Sequence, residues 1–163
     1  LTGLQRGYTR MKYDFLASEG IPQYPDANST LRVSFGTVGP LEPRDGVFCS
    51  WQSTFAGILE KNNPYVHDFS YPEDAFEKLS LSPQSPVNFL TDNDITGGNS
   101  GSPVVNLAGE LVGLAFDGNK ESLASNYSYT PLYNKCVCVD IRYVVSILRD
   151  YARLDRIVEE LQL

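Results

Sequence analysis

The 163-residue chain is long enough for one domain with a sizeable core, and with 42% hydrophobic and 20% charged residues it reads as globular rather than disordered. A formal net charge of -7 argues against a nucleic-acid binder, which must neutralise phosphates, and no basic run suits an anionic membrane surface. There is no apolar run of about eighteen residues that would make a transmembrane helix, and the sequence opens without a basic segment leading into an apolar one.

In chain order, Leu4, Tyr8, Met11, Phe15 and Leu16 recur every three to four residues, which predicts a helix over residues 1–19. Gly20 and Pro22 end it. Tyr24–Thr30 is a polar turn segment, and alternation predicts a half-buried strand over Leu31–Phe35. A Pro/Gly-containing loop over 39–46 leads to a strand over Val47–Trp51. A short helix over Thr54–Glu60 should turn Phe55, Ile58 and Leu59 inward. Residues 62–86 read as a surface excursion, with one short helix at Glu73–Leu79.

Val87–Leu90 enters the sheet, Val104-Val105 and Glu110–Phe116 follow as strands around a turn, and a polar loop runs from Asp117 to Asn134. Lys135–Val139 is the last strand. Asp140 should cap a helix to Tyr151 with Val144, Val145 and Leu148 on one face, continuing or restarting over Leu154–Leu161. Cys49, Cys136 and Cys138 read as buried thiols; a Cys-x-Cys pair without histidines is a poor zinc site.

The stretch Gly97-Gly98-Asn99-Ser100-Gly101-Ser102-Pro103 carries the chemistry. A serine hydroxyl becomes a nucleophile only beside a base, and it serves acyl transfer only where backbone N–H groups face the developing oxyanion. Gly98 can take positive φ, and Gly101 lets a substrate backbone approach. Ser100 is the candidate nucleophile, with the Gly98 and Ser100 N–H groups as the oxyanion hole. The same residues would also serve as an ordinary loop between strands. A strand rather than a helix follows, and position 102 is serine, so the nucleophile elbow of α/β-hydrolases is not matched.

Gly98–Pro103 resembles the nucleophile loop of chymotrypsin-like peptidases. The longer strings Asn88–Pro103 and Gly109–Asn119, with Tyr24–Arg32 and Val139–Val144, resemble the bacterial S46 dipeptidyl-peptidases. The likeness runs from about Tyr24 to the end and covers the C-terminal part of such an enzyme. It implies a mostly β fold with terminal helices: residues 1–22 as the end of a helical cap, and residues 23–163 as one trypsin-like antiparallel β-barrel with a C-terminal helix. Removal of dipeptides from free peptide N-termini is the implied activity, with no metal or organic cofactor. The implied partners are peptides and the N-terminal half of the same polypeptide, with homodimerisation left open. The implied location is the periplasm or outer surface of a bacterium.

The resemblance gives Asp117 to the substrate's α-amino group, against the plain reading of a strand-end cap. It places Gly118 on the wall of the pocket for the second substrate residue, where members preferring Asp or Glu carry arginine; glycine implies apolar or aromatic residues there. The plain reading of Gly118 is a turn glycine. In the family pattern the triad's base and acid lie in the N-terminal half, so the chain's one histidine, His67, corresponds to neither and reads as a solvated loop residue. Asp94 would stand at the floor of a trypsin-like pocket by spacing, but with Asp92 it can equally accept turn N–H groups. Asn99 replaces the aspartate that pairs with a new N-terminus in chymotrypsin-like zymogens, so no such activation is expected. The Asn28-Ser29-Thr30 and Asn126-Tyr127-Ser128 sequons read as chance matches. A trypsin-like endopeptidase and a non-catalytic peptide-binding barrel remain the alternatives.

Overall fold

A computed structural model describes residues 2–21, 31–125 and 128–161. Pro22, all of Tyr24–Thr30 with its sequon, and Asn126 and Tyr127 of the second sequon lie outside them. The chain divides into two compact units, Leu1–Val33 and Ser34–Leu163.

The first unit holds helix α1, Thr2–Ser18. Gly20 takes φ 69° and ends it, with the Gly20 N–H donating to Ala17 O and the Ile21 N–H to Leu16 O, the paired bonds of a Schellman cap.

The second unit is built on an antiparallel five-stranded sheet in the order β3-β4-β7-β6-β5: Gln52–Thr54, Pro86–Thr91, Cys136–Asp140, Leu111–Gly118 and Pro103–Val105. Its described pairings leave β3 and β5 as edges, so the hydrogen bonds do not close the expected barrel. Residues 39–46 are not wholly loop: β1 (Leu41–Arg44) and β2 (Val47–Cys49) form a separate hairpin around Asp45-Gly46, with Gly46 at φ 74°.

The strand expected over Leu31–Phe35 does not form; Leu31 is 93% and Phe35 86% exposed. From Ser34 onward the backbone is held by a loop instead of a ladder. Asn93 Nδ2 donates to Ser34 O at 2.9 Å, Ser34 Oγ donates to Asp94 O at 3.0 Å, and Thr37 N donates to Asp92 Oδ1. Gly36 is pressed so closely on this loop that a Cβ would come within 2.7 Å of Asn93 N. Pairing begins only at the bridge between Val38 and Thr91.

Two clusters form the core. In one, Phe89, Ala115, Cys136 and Cys138 meet across the sheet, where register places Phe89 against Cys138 and Cys138 against Ala115. The Phe89 ring lies over Gly113, where a Cβ would stand 2.6 Å from Cε1; this row requires glycine. Cys136 and Cys138 are buried free thiols with Sγ atoms 3.6 Å apart, whereas Cys49 is exposed, contrary to expectation. Its hydrogen bond to Cys136, and burial, push the Cys138 thiol well above its ordinary range.

The other cluster gathers Phe55 of α2 (Phe55–Lys61), Ala75 of α3 (Glu73–Lys78), Leu79 and Val87. The excursion over 62–86 is therefore partly core. Tyr71 packs there, stacks on Phe76 at 4.6 Å and meets the Tyr143 hydroxyl at 3.0 Å. Leu59, expected inward, is 43% exposed.

The C-terminal helix begins as α4 (Ile141–Ser146), widens into a π-helical turn over Ile147–Tyr151, and restarts as α5 (Asp155–Glu160). Tyr143, Ile147 and Tyr151 are the side chains it lays on the core. Asp140 caps α4 as the sequence predicts: its Oδ1 accepts the Arg142 N–H at 2.9 Å, and its carboxylate takes Arg142 Nε and Nη2 at 2.9 and 2.7 Å. The Asp140 side chain is 6% exposed but Arg142's is 68%, so the ion pair adds little and the cap dominates. Asp140→Ala should destabilise by about 1–2 kcal/mol. Asp140→Asn, which keeps a cap acceptor, should cost less than half of that. Denaturant midpoints test this, and equal losses would show that the ion pair dominates.

Candidate active site

The loop between β4 and β5 carries Ser100, and its shape is set locally. Gly98 has φ 98° and Gly101 φ 86°, a region where other residues are strained. Asn99 closes the turn from both sides. Its N–H donates to Thr96 O at 3.2 Å, and its Oδ1 accepts the Thr96 N–H at 3.0 Å. The Asn99 side chain is thus engaged inside the loop.

Beyond it the loop joins β6. Gly101 N–H donates to Ala115 O at 2.7 Å, Ala115 N–H donates to Ser102 O at 2.9 Å, and Ser102 N–H reaches back to Asn99 O at 2.9 Å. Gly98 and Ser100 N–H have no protein acceptor among the described residues. They are therefore available to an outside acceptor. Ser100 is exposed, and its Oγ donates to Phe116 O at 3.2 Å. A carbonyl cannot take a proton, so this bond holds the hydroxyl without activating it.

Phe116 is the extra residue of a β-bulge. Ala115 pairs with Cys138 and Asp117 with Val137, leaving Phe116 without a partner across β7. The bulge puts the Phe116 carbonyl against Ser100, so the peptide that holds the hydroxyl leads directly into Asp117. Asp117 is exposed and lies within β6; its Oδ1 accepts the N–H of Gly118 at 2.8 Å. By register Asp117 shares a face with Val137 and Gly118 shares one with Cys136, so the two adjacent residues present opposite faces of β6.

His67 sits in a 3-10 turn over His67–Phe69 with a fully exposed side chain, and its ring meets its neighbour Asp68 at 3.4 Å. Asp92 accepts the Thr37 N–H, while the Asp94 carbonyl accepts Ser34 Oγ. The described residues hold no group of three or more His, Cys, Asp or Glu that could bind a metal, and no helix long and apolar enough to cross a membrane.

Sequence reasoning missed two groups. One is the Phe116 carbonyl, since nothing in the sequence marks the bulge. The other is Ser122, in a 3-10 turn over Lys120–Ala124, whose Oγ stands where a side chain at position 118 would go.

The profile of the family described as Peptidase S46 matches residues 1–163. The chain belongs to the S46 peptidase family. Dipeptidyl-peptidase 7 of Phocaeicola vulgatus is 38% identical over 97% of this chain, and the Asp/Glu-specific dipeptidyl-peptidase of Porphyromonas endodontalis is 37% identical over 99%. The fold resembles the crystal structure of Porphyromonas endodontalis DPP11 in complex with the dipeptide Arg-Glu, with a TM-score of 0.80 and 35% identity over 91% of this chain. In each case this S46 chain spans about a quarter of the relative's length: 23%, 24% and 23%.

Proposed function

We propose that residues 1–163 are the nucleophile-bearing, C-terminal portion of a serine dipeptidyl-peptidase that removes dipeptides from peptide N-termini. The observation that carries this reading is the pair of unspent N–H groups at Gly98 and Ser100, in a turn whose Asn99, Gly101 and Ser102 N–H groups are all engaged. In the proposed reaction Ser100 Oγ leaves the Phe116 carbonyl and attacks the carbonyl carbon of the second substrate residue. Its proton passes to a base, and the two N–H groups receive the oxyanion. The C–N bond breaks, the departing amine takes the proton, and water hydrolyses the dipeptidyl ester on Ser100.

The base and its carboxylate partner are supplied by the N-terminal half of the polypeptide, since the His67 side chain is fully exposed and its ring meets the neighbouring Asp68. Exposed Phe35, Leu107 and Leu123 favour a larger assembly around this unit. In that assembly residues 1–22 end a helical cap and residues 23–163 form a trypsin-like barrel. Asp117 receives the substrate ammonium through a charge-assisted bond, which an enzyme that counts from a free N-terminus needs. Gly118 offers neither charge nor bulk to the second residue, which favours apolar or aromatic side chains over acids. The placement is periplasmic or at the outer surface of a bacterium, where peptides are degraded for nutrition.

Residues 1–163 alone are expected to give background rates on dipeptidyl fluorogenic substrates and to resist a fluorophosphonate probe, while the full-length enzyme turns over and is labelled at Ser100. Stoichiometric labelling of the isolated chain would mean that it carries its own base and would overturn the assignment of the base elsewhere.

A further inference from the structure

Gly118 is not glycine for want of a constraint. Its φ is not positive, so the backbone would tolerate any residue, but a Cβ built there would run into one atom, Ser122 Oγ. The next nearest atoms are Ser122 Cβ at 3.6 Å and Lys135 O at 4.0 Å, both ordinary contacts. Ser122 is not loose: its hydroxyl donates to Asn119 O at 2.7 Å and its N–H to the same oxygen at 3.0 Å.

Asn119 is fixed in turn, its Nδ2 donating to Tyr133 O at 2.7 Å and its Oδ1 accepting the Lys135 N–H at 2.8 Å. The 3-10 turn that carries Ser122 is therefore tied to Tyr133 and Lys135, just ahead of the strand that pairs with Gly118. A residue larger than glycine at 118 must break the Ser122–Asn119 bond or displace a braced turn.

We infer that Ser122 is a specificity-determining residue: its hydroxyl fills the space beside Gly118 and bars a side chain, charged or apolar, from that wall. The inference rests on the proposed role of Gly118 and deepens it, because the wall is then set by two residues rather than one. Ser122→Ala removes the obstructing atom and leaves Cβ at an acceptable distance. An arginine at 118, able to fork onto a substrate carboxylate, should therefore be productive only when 122 is cleared.

The test is a double-mutant cycle in the full-length enzyme, read by specificity constants and by thermal midpoint. Wild type should favour dipeptidyl substrates ending in Leu, Met or Phe over Asp or Glu. The Glu-to-Leu ratio of kcat/KM should rise roughly tenfold more in Gly118→Arg/Ser122→Ala than in Gly118→Arg alone, the size of one charge-assisted bond gained. Gly118→Ala should lower the midpoint by about 1 °C when residue 122 is serine and leave it nearly unchanged in the Ser122→Ala background.

Equal effects of Gly118→Ala in the two backgrounds would overturn the claim that Ser122 bars position 118. Coupled midpoints with no movement in substrate preference would overturn the specificity claim through its premise, since Gly118 would then not face substrate. Wild-type preference for acidic substrates would do the same.

Discussion

Ser100→Ala in the full-length enzyme is expected to lower kcat by roughly 10⁴–10⁶ while leaving the fold intact, as loss of a triad nucleophile does in other serine peptidases. The large kinetic effect follows from chemistry: alanine offers no oxygen to form the acyl-enzyme, and what survives is binding plus the donors of the oxyanion hole. The small structural effect follows from geometry. Ser100 is exposed, and its side chain contributes one hydrogen bond to Phe116 O at 3.2 Å. Losing it costs about 1 kcal/mol at most. The turn is held by the positive φ of Gly98 and Gly101 and by the Asn99–Thr96 bonds, none of which involve the hydroxyl. Turnover and thermal midpoint should therefore separate cleanly. Activity within tenfold of wild type, in a folded variant, would remove Ser100 from the mechanism.

Asp117→Ala should cost roughly 10- to 100-fold in kcat/KM on peptides with a free N-terminus, the worth of a charge-assisted bond of about 1.5–3 kcal/mol. The carboxylate is exposed and accepts the N–H of Gly118 at 2.8 Å, a bond that could by itself make it a strand-end cap. Asp117→Asn separates the two roles. Asparagine keeps an oxygen for that N–H and loses the charge, so a cap tolerates the change and an ammonium anchor does not. The substitution should be nearly as damaging as alanine on free peptides and should leave the thermal midpoint in place. N-acetylated substrates, which carry no ammonium, should be poor for wild type and variant alike. If Asp117→Asn is kinetically silent, Asp117 is a cap and the α-amino group is held elsewhere.

The sequence by itself determined the features that depend on neighbours in the chain. Glycine is needed at 98 and 101 because a turn of that shape demands positive φ, so the turn around Ser100 was legible. Gly20 as a helix stop and Asp140 as a cap were legible for the same reason: each satisfies backbone groups within a few residues of itself. Asp45-Gly46 is also a local signal, and it marks the β1–β2 hairpin that reading 39–46 as a loop obscured.

What the tertiary structure decided depends on partners far away in sequence. Leu31–Phe35 alternates like a strand, yet alternation says nothing about whether an edge is free to pair. From Ser34 the chain is taken up by Asp92, Asn93 and Asp94 instead. The excursion at 62–86 became partly core because Ala75 and Leu79 pack with Phe55 and Val87, and Tyr71 meets Tyr143, seventy-two residues on. The bulge at Phe116 exists because β6 must pair with β7 on one side and meet the Ser100 loop on the other. That bulge shifts the register so that Asp117 falls opposite Val137 and Gly118 opposite Cys136, which decides the face each of them takes. No periodicity in the sequence could supply this, because the extra residue is counted only against a partner strand.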